Sequence, residues 1–139
     1  MNMAEKFEIE IRVPYAHTDL MATVYYSHYF EYFERARVEL LRHIGFSHKK
    51  LEQGGTCLVV TEAFCKYLRP ARYDDVLILR PWIADVGSAS VLIEYEILNK
   101  ETGAIVTKGS TKLAFVDGKG KVCRAPQDMA ERLKQEIQS

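Results

Sequence analysis

The chain has 139 residues, with 19 Lys+Arg balancing 19 Asp+Glu; this length suits a single domain spanning 1–139 that buries roughly two-thirds of its unfolded surface. Balanced charge leaves no global field drawing it to nucleic acid or an anionic membrane, so any anion-binding surface must be a local patch. Three cysteines, Cys57, Cys65 and Cys123, without a CxxC pair, speak against a disulfide framework or a Cys-rich zinc site.

These cysteines suit a reducing, cytoplasmic location. The N-terminal MNMAEKFEIE carries no apolar stretch of signal-peptide length, and no window approaches the ~20 apolar residues of a membrane span. In chain order, Phe7, Ile9, Ile11 and Val13 alternate with Glu8, Glu10 and Arg12, the period of a strand with one wet face, and Pro14 stops it. From Ser27, read as an N-cap, a helix runs to Ile44 with Tyr29, Phe33, Ala36, Leu40 and Ile44 on one side and Glu31, Arg35, Glu39 and Arg42 on another. Phe30, Val38 and Leu41 broaden the apolar face, so the helix is expected to be largely wrapped, and Gly45 takes the C′ position. Strands follow over about Thr56–Leu68, Asp75–Val86, Ser90–Leu98 and Ile105–Phe115. PARYDD, DVGSAS and NKETGA separate them and read as turns or hairpins, which gives a four-strand antiparallel meander. A turn near Gly118–Gly120 and a closing helix from Gln127 to about Glu136, opened by Pro126, complete an α+β arrangement in which a curled sheet covers a central helix.

One carboxylate stands out. Asp19 lies in an aromatic-rich loop seven residues ahead of Tyr26, where the helix begins and unpaired N–H groups point outward. A carboxylate facing such donors suggests a base or nucleophile beside an oxyanion-stabilising pocket. The blander readings are that Asp19 is a turn residue and that Tyr25, Tyr26, Tyr29 and Phe30 are packing; for Tyr29 the two readings weigh equally. His17, His28, His43 and His48 contain no H-E-x-x-H and no metal triad, so no metal is expected. His17 and His48 are read as exposed, and His28 as lining the pocket or sitting at a subunit boundary. Glu34 and Arg37 are spaced to pair on one helix face, and Cys65 is read as a buried, inert thiol.

The run VPYAHTDLMATVYYSHYFEYFERARVELLRHIG, with E-x-A-R at Glu34–Arg37, and CKYLRPARYDDVL from Cys65 together resemble the hotdog-fold acyl-CoA thioesterases of the 4-hydroxybenzoyl-CoA thioesterase type over about Phe7–Arg132. The resemblance implies a central helix wrapped by a sheet of about five strands, and edge-to-edge homodimers with two sites at the interface, with a tetramer as a dimer of dimers. It implies Asp19 as the catalytic carboxylate, activating water or attacking the thioester directly, and the Tyr26 backbone N–H as the group polarising the carbonyl. It places Tyr15, Tyr25, His28 and Tyr29 around the acyl pocket and requires no cofactor. Two positions depart from the family pattern. Ala22 stands where relatives commonly have Gly, and the β-turn at Gly87–Ala89 lacks the basic cluster that binds CoA phosphates in some relatives. Lys66 and Arg69 are then the candidate phosphate contacts, or the substrate is an acyl carrier protein thioester. A non-catalytic acyl-thioester binder is the reading in another class. A hotdog dehydratase is disfavoured because D-L-M-A-T-V lacks the D-x-N-P-x-H setting of that chemistry.

Overall fold

A computed structural model describes residues 6–137; the expectation for the first residues of the N-terminal segment lies outside them. The elements are β1 (Ile9–Arg12), α1 (His28–His43), α2 (His48–Gln53), β2 (Cys57–Tyr67), β3 (Val76–Val86), β4 (Ser90–Asn99), β5 (Ile105–Val116) and α3 (Gln127–Ile137), with one 3-10 turn at Tyr15–His17. The five strands form one antiparallel sheet in the order β1-β3-β4-β5-β2. Strand alternation places Leu77, Leu79 and Ile83 of β3 and Val91, Ile93, Tyr95 and Ile97 of β4 in the core, the expected consequence of a period-2 pattern with one buried face.

The central helix packs on this sheet through Tyr29, Phe33, Ala36, Leu40 and Leu41, all buried. At Gly109 of β5, Phe33 occupies the space a side chain would need and stacks on Tyr95 at 4.4 Å between centroids. Its C-terminus closes as a Schellman motif: Gly45 at φ 99° donates to the Arg42 carbonyl and Phe46 to that of Leu41.

Three expectations need correction. Ser27 stands at the helix start but in an αR conformation and its side chain caps nothing, so that end keeps free donors. The wrapping is one-sided: Phe30 remains 38% exposed and Tyr32, on the face given no apolar role, is fully buried. The strands are not a simple meander. β2 pairs with β5 at the far edge of the sheet from β3, so the PARYDD segment is a crossover rather than a hairpin. The crossover is pinned along its length, with the Leu68 and Arg69 N–H groups on the Val106 carbonyl and the Ala71 carbonyl taking the Val24 N–H. The short helix α2, capped by the Ser47 side chain accepting from the Lys50 N–H, has no counterpart in the sequence reading. Among the described residues no helix is long and apolar enough to cross a membrane.

Candidate active site

Asp19 begins a tight hairpin. The Asp19 N–H donates to the Thr23 carbonyl at 2.8 Å and the Tyr25 N–H to the His17 carbonyl at 2.9 Å, while Ala22 closes the turn by donating to the Asp19 carbonyl. That closure puts Ala22 at φ 60°, in the left-handed region. The Ala-for-Gly departure therefore leaves the left-handed turn in place, at the cost of backbone strain. A second set of bonds welds the hairpin to the crossover: Thr23 bridges Arg72, and the Tyr73 N–H donates to the Ala22 carbonyl.

The Asp19 carboxylate is unequally engaged. Its Oδ1 accepts from the Met21 N–H at 2.8 Å, the Thr23 N–H at 3.2 Å and the Thr23 hydroxyl at 3.1 Å, whereas Oδ2 meets only the Thr23 hydroxyl. These donors, the Met21 N–H foremost, hold the carboxyl below its usual range, so it is ionised at neutral pH. Oδ2 is thus the less engaged of the two oxygens. Thr23 was missed in the sequence, although a Thr four residues after a loop Asp is itself a recognisable turn-locking pattern.

At the helix entrance, the Tyr26 and Ser27 N–H groups have no acceptor among the described residues. The Tyr26 carbonyl is gripped by the Tyr67 hydroxyl of β2 at 3.1 Å, which orients that residue; Tyr67 too went unrecognised in the sequence. The other candidates divide. Tyr25 and Tyr26 pack together at 4.6 Å and are about half exposed, and Tyr15 stands exposed against Tyr73. Tyr29 is buried at 3% exposure, its hydroxyl accepting from the Ala71 N–H, which is a packing role beneath the loop. Lys66 is exposed, and Arg69, also exposed, donates to the Ile105 carbonyl.

The histidines fall differently from their reading. His48 is exposed as expected, but His17 is half-buried, its Nδ1 2.9 Å from the Tyr32 hydroxyl and its ring stacked on His28 at 4.2 Å. Together with Glu31 these rings form a cluster of metal-ligand type that linear spacing did not show. Glu34 and Arg37 do approach, at 3.9 Å, and burial raises the Cys65 thiol above its usual range, which makes it a poor nucleophile. Grooves at Ile9, Glu10 and Val38, and at Leu41, Leu51 and Leu58, border neither Asp19 nor Tyr26. In the single chain the site is an open surface whose rim carries Leu20 and Met21, both largely exposed.

Residues 13–133 match the family model described as the thioesterase-like superfamily. The chain belongs to the thioesterase-like superfamily. Among relatives of this thioesterase-like chain, the acyl-CoA thioesterase YbgC of Haemophilus influenzae is 32% identical over 125 residues, covering 88% of this chain and 90% of that protein. The crystal structure of the DHNA-CoA thioesterase of Staphylococcus aureus superposes with a TM-score of 0.87 at 28% identity, over 92% of this chain and 88% of that one. A protein of Aquifex aeolicus superposes at 0.85 with 32% identity, over 91% and 98%. The superfamily assignment and these structures establish the α+β hotdog fold.

Proposed function

We propose that the chain is a thioester hydrolase acting on acyl-CoA, with Asp19 as general base or nucleophile and the Tyr26 N–H as the donor to the thioester oxygen. The observation that carries the residue assignment is the pairing of an ionised carboxylate, one of whose oxygens accepts only the Thr23 hydroxyl, with an unpaired N–H at the start of a 16-residue helix. The positive end of the helix favours the oxyanion that forms when the carbonyl is attacked, and one such donor contributes about 3 kcal/mol to transition-state stabilisation. Water adds to the acyl carbon, the carbon–sulfur bond breaks, and the thiolate leaves and is protonated. The names of YbgC and of the DHNA-CoA thioesterase support CoA as the carrier.

A second copy of the chain would complete the site. β2 pairs only with β5 among the described residues and exposes Val59, Val60 and Phe64, an edge that soluble chains do not ordinarily leave bare. Pairing such edges would build a homodimer and give the exposed Leu20, Met21 and Tyr25 a facing wall; Lys66, on the same strand, would then lie near the interface to meet CoA phosphates. A carrier-protein thioester is the alternative substrate that the uncharged turn at Gly87–Ala89 favours.

The test is Asp19→Asn assayed by thiol release against short, long and aromatic acyl-CoAs and an acyl-carrier-protein thioester. Turnover should fall by about 10²- to 10⁴-fold with the melting curve unchanged. Wild-type turnover in the folded variant would reject Asp19, and saturable binding without thiol release in the wild type would support the binding-protein reading.

A further inference from the structure

We propose that His17, His28 and Glu31 form a binding site for one divalent transition-metal ion of the Zn²⁺ class, linking the catalytic hairpin to the first turn of α1. His28 Nδ1 lies 3.2 Å from Glu31 Oε1 and His17 Nε2 lies 3.7 Å from Glu31 Oε2, and the three ligand atoms lie within 4.8 Å of one another. Donor atoms of a tetrahedral zinc site, each about 2.0 Å from the metal, sit about 3.3 Å apart. The cluster is therefore within a small adjustment of coordinating distance.

The arrangement also has the features that metal-binding histidines require. The second nitrogen of His17, Nδ1, lies 2.9 Å from the hydroxyl of the fully buried Tyr32, a partner of the kind that holds a metal-binding imidazole in place. With Nδ1 donating to that oxygen, the Nε2 lone pair is left toward Glu31. In that tautomer His17 Nε2 and the carboxylate are facing acceptors, which a cation would reconcile. Two imidazoles and one carboxylate suit Zn²⁺, Ni²⁺ or Cu²⁺ rather than Ca²⁺ or Mg²⁺, and the exposed flank of Glu31 leaves an open fourth position. One movement is needed: the two rings are parallel within 8°, so both lone pairs cannot meet one ion until a ring turns. His28 is the ring placed to do so, being on the first helical turn with no side-chain hydrogen bond, ion pair or ring contact among the described residues beyond His17 and Glu31.

The experiment uses tag-free full-length protein titrated with Co²⁺, followed by visible d–d absorption, and then with Zn²⁺ in competition and by calorimetry. One ion per chain is expected, with low-symmetry Co²⁺ bands that Zn²⁺ abolishes. His28→Asn and Glu31→Gln, both at partly exposed positions, should each weaken binding by at least about tenfold, while His48→Asn should leave it unchanged. Absence of saturable binding in the wild type, or binding retained in both ligand variants, overturns the site. The readout needs no substrate, so loss of the Asp19 assignment would not affect it.

Discussion

Substituting Gly109 by Ala tests the contact on which the central helix rests. A Cβ built there would lie 2.4 Å from Phe33 Cε2 and 2.5 Å from the Phe64 carbonyl, about 1 Å inside ordinary contact. The ring has little room to retreat, because Phe33 is 1% exposed and stacked on Tyr95. The carbonyl belongs to the paired strand β2 and moves only with it. Overpacking a well-filled core costs about 1–3 kcal/mol, and the upper end applies when backbone must shift. At about 2.1 cal/mol/K of unfolding entropy per residue, each kcal/mol lowers the melting temperature by about 3 °C in a chain of this size, so Gly109→Ala should melt roughly 10 °C lower. A double-mutant cycle isolates the ring. Phe33→Ala alone should cost about 3–5 kcal/mol, and in its background Gly109→Ala should cost less, because only the Phe64 carbonyl still obstructs the methyl group. A melting temperature within 2 °C of wild type, or strict additivity of the two changes, would refute this account of the helix–sheet contact.

Three further outcomes concern the hairpin. Since its native donors depress the Asp19 carboxyl and the proposed mechanism uses the ionised form, kcat/KM should hold through neutral pH and fall only as pH drops through that depressed value. Thr23→Val removes one of those donors and should move the acid limb to higher pH; an unmoved limb, or one moved down, would separate Asp19 from the rate. Ala22→Gly should raise stability by about 0.5 kcal/mol in denaturant unfolding, because relief of the left-handed backbone, about 1 kcal/mol, exceeds the added entropy of the unfolded chain. A destabilised Gly variant would mean that the methyl group of Ala22 makes a contact worth more than the strain.

Strand boundaries were legible almost to the residue, because Val-, Ile- and Leu-rich runs alternate and are separated by Gly-, Asp- and Asn-containing turns. The start of the central helix was likewise legible from its apolar period, while the roles of Asp19 and Tyr26 beside it are expectations from spacing and resemblance that the proposed function carries. The crossover was not. PARYDD has hairpin composition, and only the pairing of β2 with β5, a contact between residues some 40–60 apart, reveals that the chain leaves one sheet edge and re-enters near the other. Tyr32 and His17 were hidden for a related reason. A polar-looking position on a helix becomes core when a distant loop folds over it, and the His17–Tyr32 contact at 2.9 Å joins the two segments that do so. The position of Ala22 was readable as a departure, yet whether its backbone would comply depended on the Tyr73 N–H reaching its carbonyl from the crossover.

The phenol of Tyr67 reaches from the outermost strand to the carbonyl of Tyr26, so the rim of the sheet and the proposed reaction centre share one mechanical linkage. Whatever settles against that rim bears directly on the aim of the amide. An inhibitor wedged along the strand, far from any acyl chain, would therefore act on turnover rather than merely crowd the surface.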